Sequence, residues 1–404
     1  MSRIAGLFTP TDPVRAAVMA ARTDLFPAFG ETWKRKTIES GAAVLSWTGW
    51  RIPETASEGG VCVVMDGFIY NKDAFPEALN GAAVVMALYR KKGFSGALAS
   101  LNGDFAIALY DRNKDLLWLG RDRIGLKPLY YTDRPDFFAF ASQPRSLLAL
   151  PGVPKRIDKR FAAVFAGMHY RYFDNRVELS PYEGIRQLPA GHILETAKGI
   201  LRTSRYWTLH DAPDRKACEA DLAEEYRDLL LDSVARRLAV AERPAFTLSG
   251  GLDSSSVLSS AVAVKGTRQI AYSSVYDDPT YDESEDIRPM LGPKVKTWNP
   301  VRVGDAPDVF GLLKEMAAVH DEPACTATWL SHYLVARQTA IDGYGALFGG
   351  LGGDELNAGE YEHFIFHFAD LEAAGRMKDF DHEIEKWAEY HDHPLFKKDR
   401  RAAE

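Results

Sequence analysis

Phe246-Thr247-Leu248-Ser249-Gly250-Gly251-Leu252-Asp253-Ser254-Ser255-Ser256 is the stretch from which this chain is read. An apolar strand over residues 245–248 runs into two glycines and three serines, then into a helical stretch over 257–262. Gly250 and Gly251 permit a tight turn that brings bare N–H groups close to an anion. The N-terminus of the following helix adds partial positive charge, and the serine hydroxyls add hydrogen-bond donors. The pattern reads as a phosphate cradle. It is not a Walker A loop, because the Gly-x-x-x-x-Gly-Lys-Ser/Thr spacing and its lysine are missing. Asp253 makes chemical sense beside phosphates when Mg²⁺ sits between them. The plainer alternative is a Ser/Gly-rich helix cap without a ligand; strand, paired glycines, acid and three serines in that order favour the cradle.

This run resembles the pyrophosphate loop of the ATP pyrophosphatases, in the form used by the asparagine synthetase family. Two further segments agree in order and spacing. Tyr276-Asp277-Asp278-Pro279-Thr280-Tyr281-Asp282-Glu283-Ser284 is similar to the segment after the family's second nucleotide-binding strand. Leu347-Phe348-Gly349-Gly350-Leu351-Gly352-Gly353-Asp354-Glu355-Leu356 resembles its second glycine-rich loop. The resemblance implies ATP and Mg²⁺ as cofactors, with Asp253 and Asp354 as the metal ligands. It implies pyrophosphate contacts from Ser249, Gly250, Gly251, Ser254 and Ser255, and adenine contacts from the backbone of Leu248, Ser274 and Gly350, with Gly349 beside them. The implied chemistry is adenylation of a carboxylate, release of pyrophosphate, and attack by an amine.

Composition fits a two-domain enzyme. At 404 residues the chain exceeds the roughly 100–200 residues usual for one domain, and 46% hydrophobic content supports a full core. A net charge of −7 leaves no basic footprint for nucleic acid. The three cysteines, Cys62, Cys218 and Cys325, form neither a Cys-x-x-Cys pair nor a disulfide framework, which suggests a reducing compartment. No apolar run reaches the ~18 residues of a membrane span, and the first residues lack a signal-peptide shape. A cytoplasmic location is expected.

The first half reads as β-rich, with short apolar runs at 4–8, 43–47, 61–65, 105–110, 116–120, 129–132 and 137–141, and a helical pattern at 82–91. Leu101-Asn102-Gly103-Asp104-Phe105 through Asp111, followed by Gly120-Arg121-Asp122-Arg123-Ile124-Gly125-Leu126-Lys127-Pro128, resembles the glutamine amidotransferase domain of asparagine synthetases. The implied fold is an Ntn-hydrolase-type αββα sandwich over 1–210, joined to a doubly wound parallel α/β ATP-pyrophosphatase domain over 217–404. The boundary is expected in the polar stretch 210–216, before a helix at 219–238.

The glutaminase pocket departs from that family at three points. Ser2 stands at the position of the N-terminal cysteine nucleophile, and a thiolate is far more accessible than an alkoxide at neutral pH. The family's Asn-Gly-Glu clamp reads Asp66-Gly67-Phe68, which deletes the carboxylate for glutamine's ammonium and an amide donor for an oxyanion. The arginine for glutamine's carboxylate has no counterpart; Thr48-Gly49-Trp50-Arg51 is the nearest basic site. Loss of glutamine hydrolysis is the expectation, as in the related β-lactam synthetases and lasso-peptide cyclases, which use an amine within the substrate.

Two departures touch the second domain. Leu351 stands where relatives often carry Glu, so it cannot take a proton from the attacking amine. The sequence stops at Glu404, and no lysine among Lys378, Lys386, Lys397 and Lys398 can be assigned to the adenylation transition state. The expectation is a domain truncated at its C-terminus. A partner supplying the remainder, or loss of the adenylation step, is the alternative.

His363 and His367, with His382, His391 and His393 beyond, raise the question of zinc. The segment lacks a His-Glu-x-x-His base, and Phe364, Ile365, Phe366 and Phe368 favour a packed helix. Trp387 and Tyr390 read the same way. The expected function is an ATP-dependent amide ligase acting on a small-molecule or peptide carboxylate, as a homodimer or with a partner, without nucleic acid or membrane. An ordinary glutamine-hydrolysing asparagine synthase and a non-catalytic nucleotide-binding scaffold remain the alternatives.

Overall fold

The structure is a computed structural model; it describes residues 2–9, 33–167, 177–197, 199–210, 217–279, 281–305, 308–324, 326–359 and 361–390. Cys325, His391, His393, Lys397 and Lys398 lie outside them. The chain divides into two compact units. One is Met1–Val240 with Asp305–Leu334; the other is Ala241–Gly304 with Val335–Glu404. The helix Glu219–Val240 therefore goes with the first unit, whereas the sequence placed the boundary just ahead of it.

The first unit holds two six-stranded sheets. One contains β1 (Ser2–Phe8), β2 (Lys34–Ser40), β3 (Ala43–Gly49), β8 (Tyr130–Arg134), β9 (Phe137–Ala141) and β10 (Arg186–Gln187), in the order β10-β8-β9-β1-β3-β2. The other contains β4 (Thr55–Glu58), β5 (Val61–Ile69), β6 (Gly103–Asp111), β7 (Leu116–Arg121), β11 (His192–Ala197) and β12 (Ile200–Arg205), in the order β12-β11-β7-β6-β5-β4. All their pairings are antiparallel.

Alternation along the strands explains the layering. Ile4, Leu45 and Trp47 of one sheet form a common core with Cys62, Val64, Ala106 and Ala108 of the other. The intervening residues Val61, Val63 and Met65 point the opposite way, with Ile107 and Leu109, onto Val84, Val85 and Leu88 of α1 (Gly81–Ala99). Ala5, Leu7 and Val44 face outward on the first sheet and meet Leu147 of α2 (Pro144–Leu148). Strands buried on both faces read as continuous apolar runs, and the result is an α-β-β-α stack. The remaining helices of this unit are α3 (Lys159–Gly167), α4 (Glu219–Val240) and α7 (Val309–His320).

The second unit is a four-stranded sheet in which every pairing is parallel. Its strands are β13 (Pro244–Thr247), β14 (Gln269–Val275), β15 (Val295–Arg302) and β16 (Ala346–Phe348), in the order β15-β14-β13-β16. The helices between and after them are α5 (Leu252–Lys265), α6 (Ser284–Leu291), α8 (Ala327–Ile341), α9 (Gly353–Asn357), α10 (Tyr361–Ala373) and α11 (Met377–Tyr390); the division between the units falls within α8. The strand order reverses between β13 and β16. In open α/β sheets ligands bind beyond the carboxyl ends of the strands at that switch point. Among the described residues no helix is long and apolar enough to cross a membrane.

Candidate active site

At the switch point, the loop after β13 and the loop after β16 meet. Ser249 N–H donates to Ser254 Oγ at 3.0 Å, the Ser249 and Ser254 hydroxyls lie 2.8 Å apart, and Gly251 N–H donates to Ser249 Oγ at 3.2 Å. These bonds close the loop over the start of α5. Ser255 Oγ donates back to the carbonyls of Gly251 at 3.0 Å and Leu252 at 2.9 Å. Leu252, the first residue of α5, is exposed. Gly250 N–H donates to Glu283 Oε2 at 3.0 Å. The loop thus presents a backbone donor to a carboxylate oxygen. Leu248 N–H donates to Tyr272 O at 2.9 Å and its carbonyl accepts Ser273 Oγ, so both backbone groups are engaged in the sheet. Ser274 lies on β14 opposite Val301.

The second loop can approach only because it is glycine. A Cβ on Gly350 would lie 2.6 Å from Ser254 N and 2.8 Å from Asp253 Cβ; one on Gly353 would lie 2.2 Å from Asp253 Cγ. The Asp253 carboxylate is thus seated on the backbone that leads into Asp354. Burial, with the nearby Asp354 and Glu355 carboxylates, pushes the Asp253 carboxyl above the usual carboxylate range. None of these three acids has an ion-pair partner among the described residues. Two carboxylates from separate segments, beside a glycine- and serine-rich loop, are a donor set that fits Mg²⁺ shared with phosphates. Asp253 and Asp354 would hold it. Leu351 is exposed.

The first unit assembles a different cluster. Asp66, Gly67 and Phe68 lie on β5, and Ser2 opens β1. Gly67 sits at φ +124°, and a Cβ there would lie 1.9 Å from Asp104 O, so only glycine fits the strand at that point. Ser2 Oγ donates to Asp66 Oδ1 at 2.8 Å, and Ser142 Oγ donates to Oδ2 at 3.4 Å. Lys127 Nζ lies 3.6 Å from Asp66 Oδ1. The Asp66 carboxylate is buried. The Phe68 ring has the Arg51 guanidinium at 4.9 Å and the Lys127 ammonium at 6.0 Å from its centroid.

Lys127 and Ser142 are partners that the sequence pattern did not single out. The signal was present in Gly120–Pro128. Arg121 donates to the carbonyls of Lys127 at 2.7 Å and Gly125 at 2.6 Å, while Asp122 accepts the N–H groups of Leu126 and Lys127, each at 3.0 Å. That clamp rigidifies the turn and delivers Lys127 to Asp66. Glu283 was likewise not anticipated as the partner of Gly250. His363 and His367 lie on α10 and His382 on α11, where Phe368, Ile384 and Trp387 form a small apolar core.

Comparison with known proteins places these two sites in one context. Residues 1–207 match the family described as Glutamine amidotransferase domain, and residues 225–402 match the family described as Asparagine synthase. The chain is 32% identical over 231 residues to glutamine-hydrolysing asparagine synthetase 2 of Bacillus subtilis (strain 168), covering 53% of this chain and 31% of that protein. It is 27% identical over 319 residues to putative glutamine-hydrolysing asparagine synthetase 2 of Methanocaldococcus jannaschii, covering 75% of this chain and 59% of that protein. The chain thus spans between about a third and three-fifths of the length of these two relatives. Among solved structures, a glutamine aminotransferase class-II domain protein from Silicibacter pomeroyi aligns over 51% of this chain and 99% of its own at 12% identity, with a TM-score of 0.28. With an amidotransferase match over the αββα unit followed by an asparagine synthase match over the parallel-sheet loops, the chain belongs to the asparagine synthetase family.

Proposed function

We propose that this chain is an ATP-dependent amide ligase that adenylates a carboxylate and transfers the acyl group to an amine other than one released from glutamine. The observation that carries the first part is the seating of the Asp253 carboxylate on Gly353, which gathers Asp253 and Asp354 at the switch point beside a serine-lined cradle. When bound, ATP with Mg²⁺ supplies an electrophilic α-phosphorus and a pyrophosphate leaving group. The chain's own residues bind and orient. Asp253 and Asp354 would hold the cation, the Ser249–Ser254 network fixes the loop, and Gly250 N–H, now donating to Glu283, would be available to a phosphate oxygen. On this reading a substrate carboxylate would displace pyrophosphate from that phosphorus. Attack by the amine on the acyl carbon expels AMP and releases a proton.

The Asp66 cluster supports the second part. The Ser2 hydroxyl is engaged by a buried carboxylate, and Phe68, which stands where the family resemblance implies Glu, has the Arg51 and Lys127 cations near its ring. A carboxylate at Asp66 repels a developing oxyanion where an amide would donate to it. The matched relatives are named as glutamine-hydrolysing, which favours ordinary asparagine synthase as the second reading.

One experiment separates the readings: pyrophosphate release from ATP·Mg²⁺ with aspartate and a panel of amino-acid carboxylates, and glutamate release from glutamine, in wild type and Asp253→Ala. Carboxylate-stimulated release that depends on Asp253, without glutaminase activity, is expected. Glutamine hydrolysis coupled to aspartate would establish the second reading instead. ATP binding with no release by any acid would leave a nucleotide-binding scaffold.

A further inference from the structure

A cavity of about 340 Å³ lies in the first unit, lined by residues that belong to neither cluster described above. Its charged lining is Arg145, Lys155 and Arg156; its apolar lining includes Leu148 and Ile157, with Tyr182 beside them. No carboxylate lines it. The volume is at the low end of the roughly 300–1,000 Å³ of ligand pockets.

The three cations are held differently. Arg145 Nε donates to Asp321 Oδ1, and its backbone N–H donates to Oδ2 at 3.3 Å. Tyr182 OH donates to the Asp321 carbonyl at 2.8 Å. Because the Asp321 side chain is buried, it holds the Arg145 guanidinium through Nε, and Arg145 lines the cavity from that fixed position. Arg156 Nη2 pairs with Glu183 Oε2 at 2.8 Å. Lys155 has no ion-pair or hydrogen-bond partner among the described residues. Its charge is uncompensated, next to two oriented guanidinium groups.

The apolar part is also held in place. Ile157 is 59% exposed, an unusual position for a β-branched apolar residue. Its backbone forms an antiparallel bridge with Tyr182, and Asp158 N–H donates to Pro181 O at 2.9 Å. The bridge keeps Ile157 and the Tyr182 ring at fixed separation. Pre-oriented donors and a rigid apolar wall reduce the ordering cost of binding.

We propose that this cavity binds a small organic anion with an apolar body, an aromatic or branched-chain carboxylate or phosphate monoester. The acid head is taken by Lys155 and Arg145; the body packs on Leu148, Ile157 and Tyr182. Inorganic anions lack the body, and neutral aromatics lack the head, so neither satisfies both halves of the lining.

Ligand-observed NMR titration of the full chain with benzoate, phenyl phosphate and benzyl alcohol tests this, with Lys155→Glu, Ile157→Asp and Asp253→Ala as variants. Both cavity variants lie at exposed positions, and thermal melts verify that they fold. Saturable binding of at least one acid is expected, weakened about tenfold by Lys155→Glu, which corresponds to about 1.4 kcal/mol. Ile157→Asp should weaken it comparably, and Asp253→Ala and saturating ATP·Mg²⁺ should leave it unchanged. Preference for benzoate or phenyl phosphate identifies the acid class. The proposal is overturned if benzyl alcohol binds as well as the acids, if neither cavity variant alters acid binding, or if ATP·Mg²⁺ displaces the probe.

Discussion

Gly353→Ala should remove nucleotide chemistry while leaving the fold intact. The new Cβ would lie 2.2 Å from Asp253 Cγ and from Oδ2. Ordinary carbon contact lies near ~3.5 Å, so the carboxylate must retreat by roughly 1 Å. Asp253 can do this by rotating its side chain, because the clash is with its mobile end. Stability should therefore change by less than about 1 kcal/mol. If Asp253 holds Mg²⁺ as proposed, a displacement of that size corresponds to a loss of roughly 10²-fold in kcat/KM for pyrophosphate release. Gly350→Ala provides the contrast. Its Cβ would meet Ser254 N at 2.6 Å and Asp253 backbone carbon at 2.9 Å, atoms of the α5 first turn that cannot rotate away. That overlap should cost about 1–3 kcal/mol and lower the melting temperature. Isothermal titration with ATP·Mg²⁺, a pyrophosphate-release assay and thermal melts on the two variants read out both arms. If Gly353→Ala retains wild-type affinity and turnover, Asp253 does not act from this seat, and the reading of the two loops as one site is wrong.

Three other outcomes follow from local geometry. Tyr110 is buried with its hydroxyl donating to Asp115 Oδ1 at 2.9 Å, and burial, then that hydrogen bond, pushes its pKa up to about 12. The unfolded phenol ionises near ~10, so the folded state binds the proton more tightly; this contribution is intact below pH ~10 and is lost as pH rises toward ~12. Urea unfolding across that window should show wild type losing stability more steeply than Tyr110→Phe. A common slope would refute it. Asp321, at φ +63°, caps α7 and neutralises Arg145 from a buried position. Asp321→Ala should cost about 2–4 kcal/mol in chemical denaturation, from the stranded guanidinium and the left-handed backbone; Asp321→Asn, which tolerates that backbone, should cost less. Equal losses would place the whole effect on charge. Asn80 accepts Ala83 N–H at 2.9 Å and donates to the carbonyls of Pro53 and Thr55 at 3.0 and 3.1 Å. Asn80→Ala should destabilise the first unit by about 1–2 kcal/mol, measured as a shift in the urea midpoint.

The elements with strong apolar patterning are legible in the amino-acid sequence. The runs at 4–8, 61–65, 105–110 and 137–141 all lie in strands, because strands buried on both faces admit little else. β2 and β4 were not anticipated: Lys34–Ser40 and Thr55–Glu58 are largely polar edge strands whose pairing depends on a neighbour already in place. The helix expected over 82–91 continues to Ala99 across Gly93, which sits at φ +72°. Phe94, Ala97 and Leu98 are buried on the sheet beyond that break, so tertiary packing holds the segment together where local propensity would end it.

The candidate sites divide along the same line. Order, spacing and residue type along the chain were enough to single out the glycine–serine loop with Asp253, a local run of chemically specific residues; Asp354 and the altered Ser2, Asp66 and Phe68 positions were singled out through the family resemblance. Tertiary structure alone decided that Ser2, Ser142 and Lys127 converge on one buried carboxylate, that Glu283 sits on Gly250, and that Asp321 anchors Arg145. Those partners lie 33 to 176 residues apart in sequence. Nothing in the neighbourhood of either residue encodes such a contact; it exists only once the sheets have closed and excluded water from the charges they bring together.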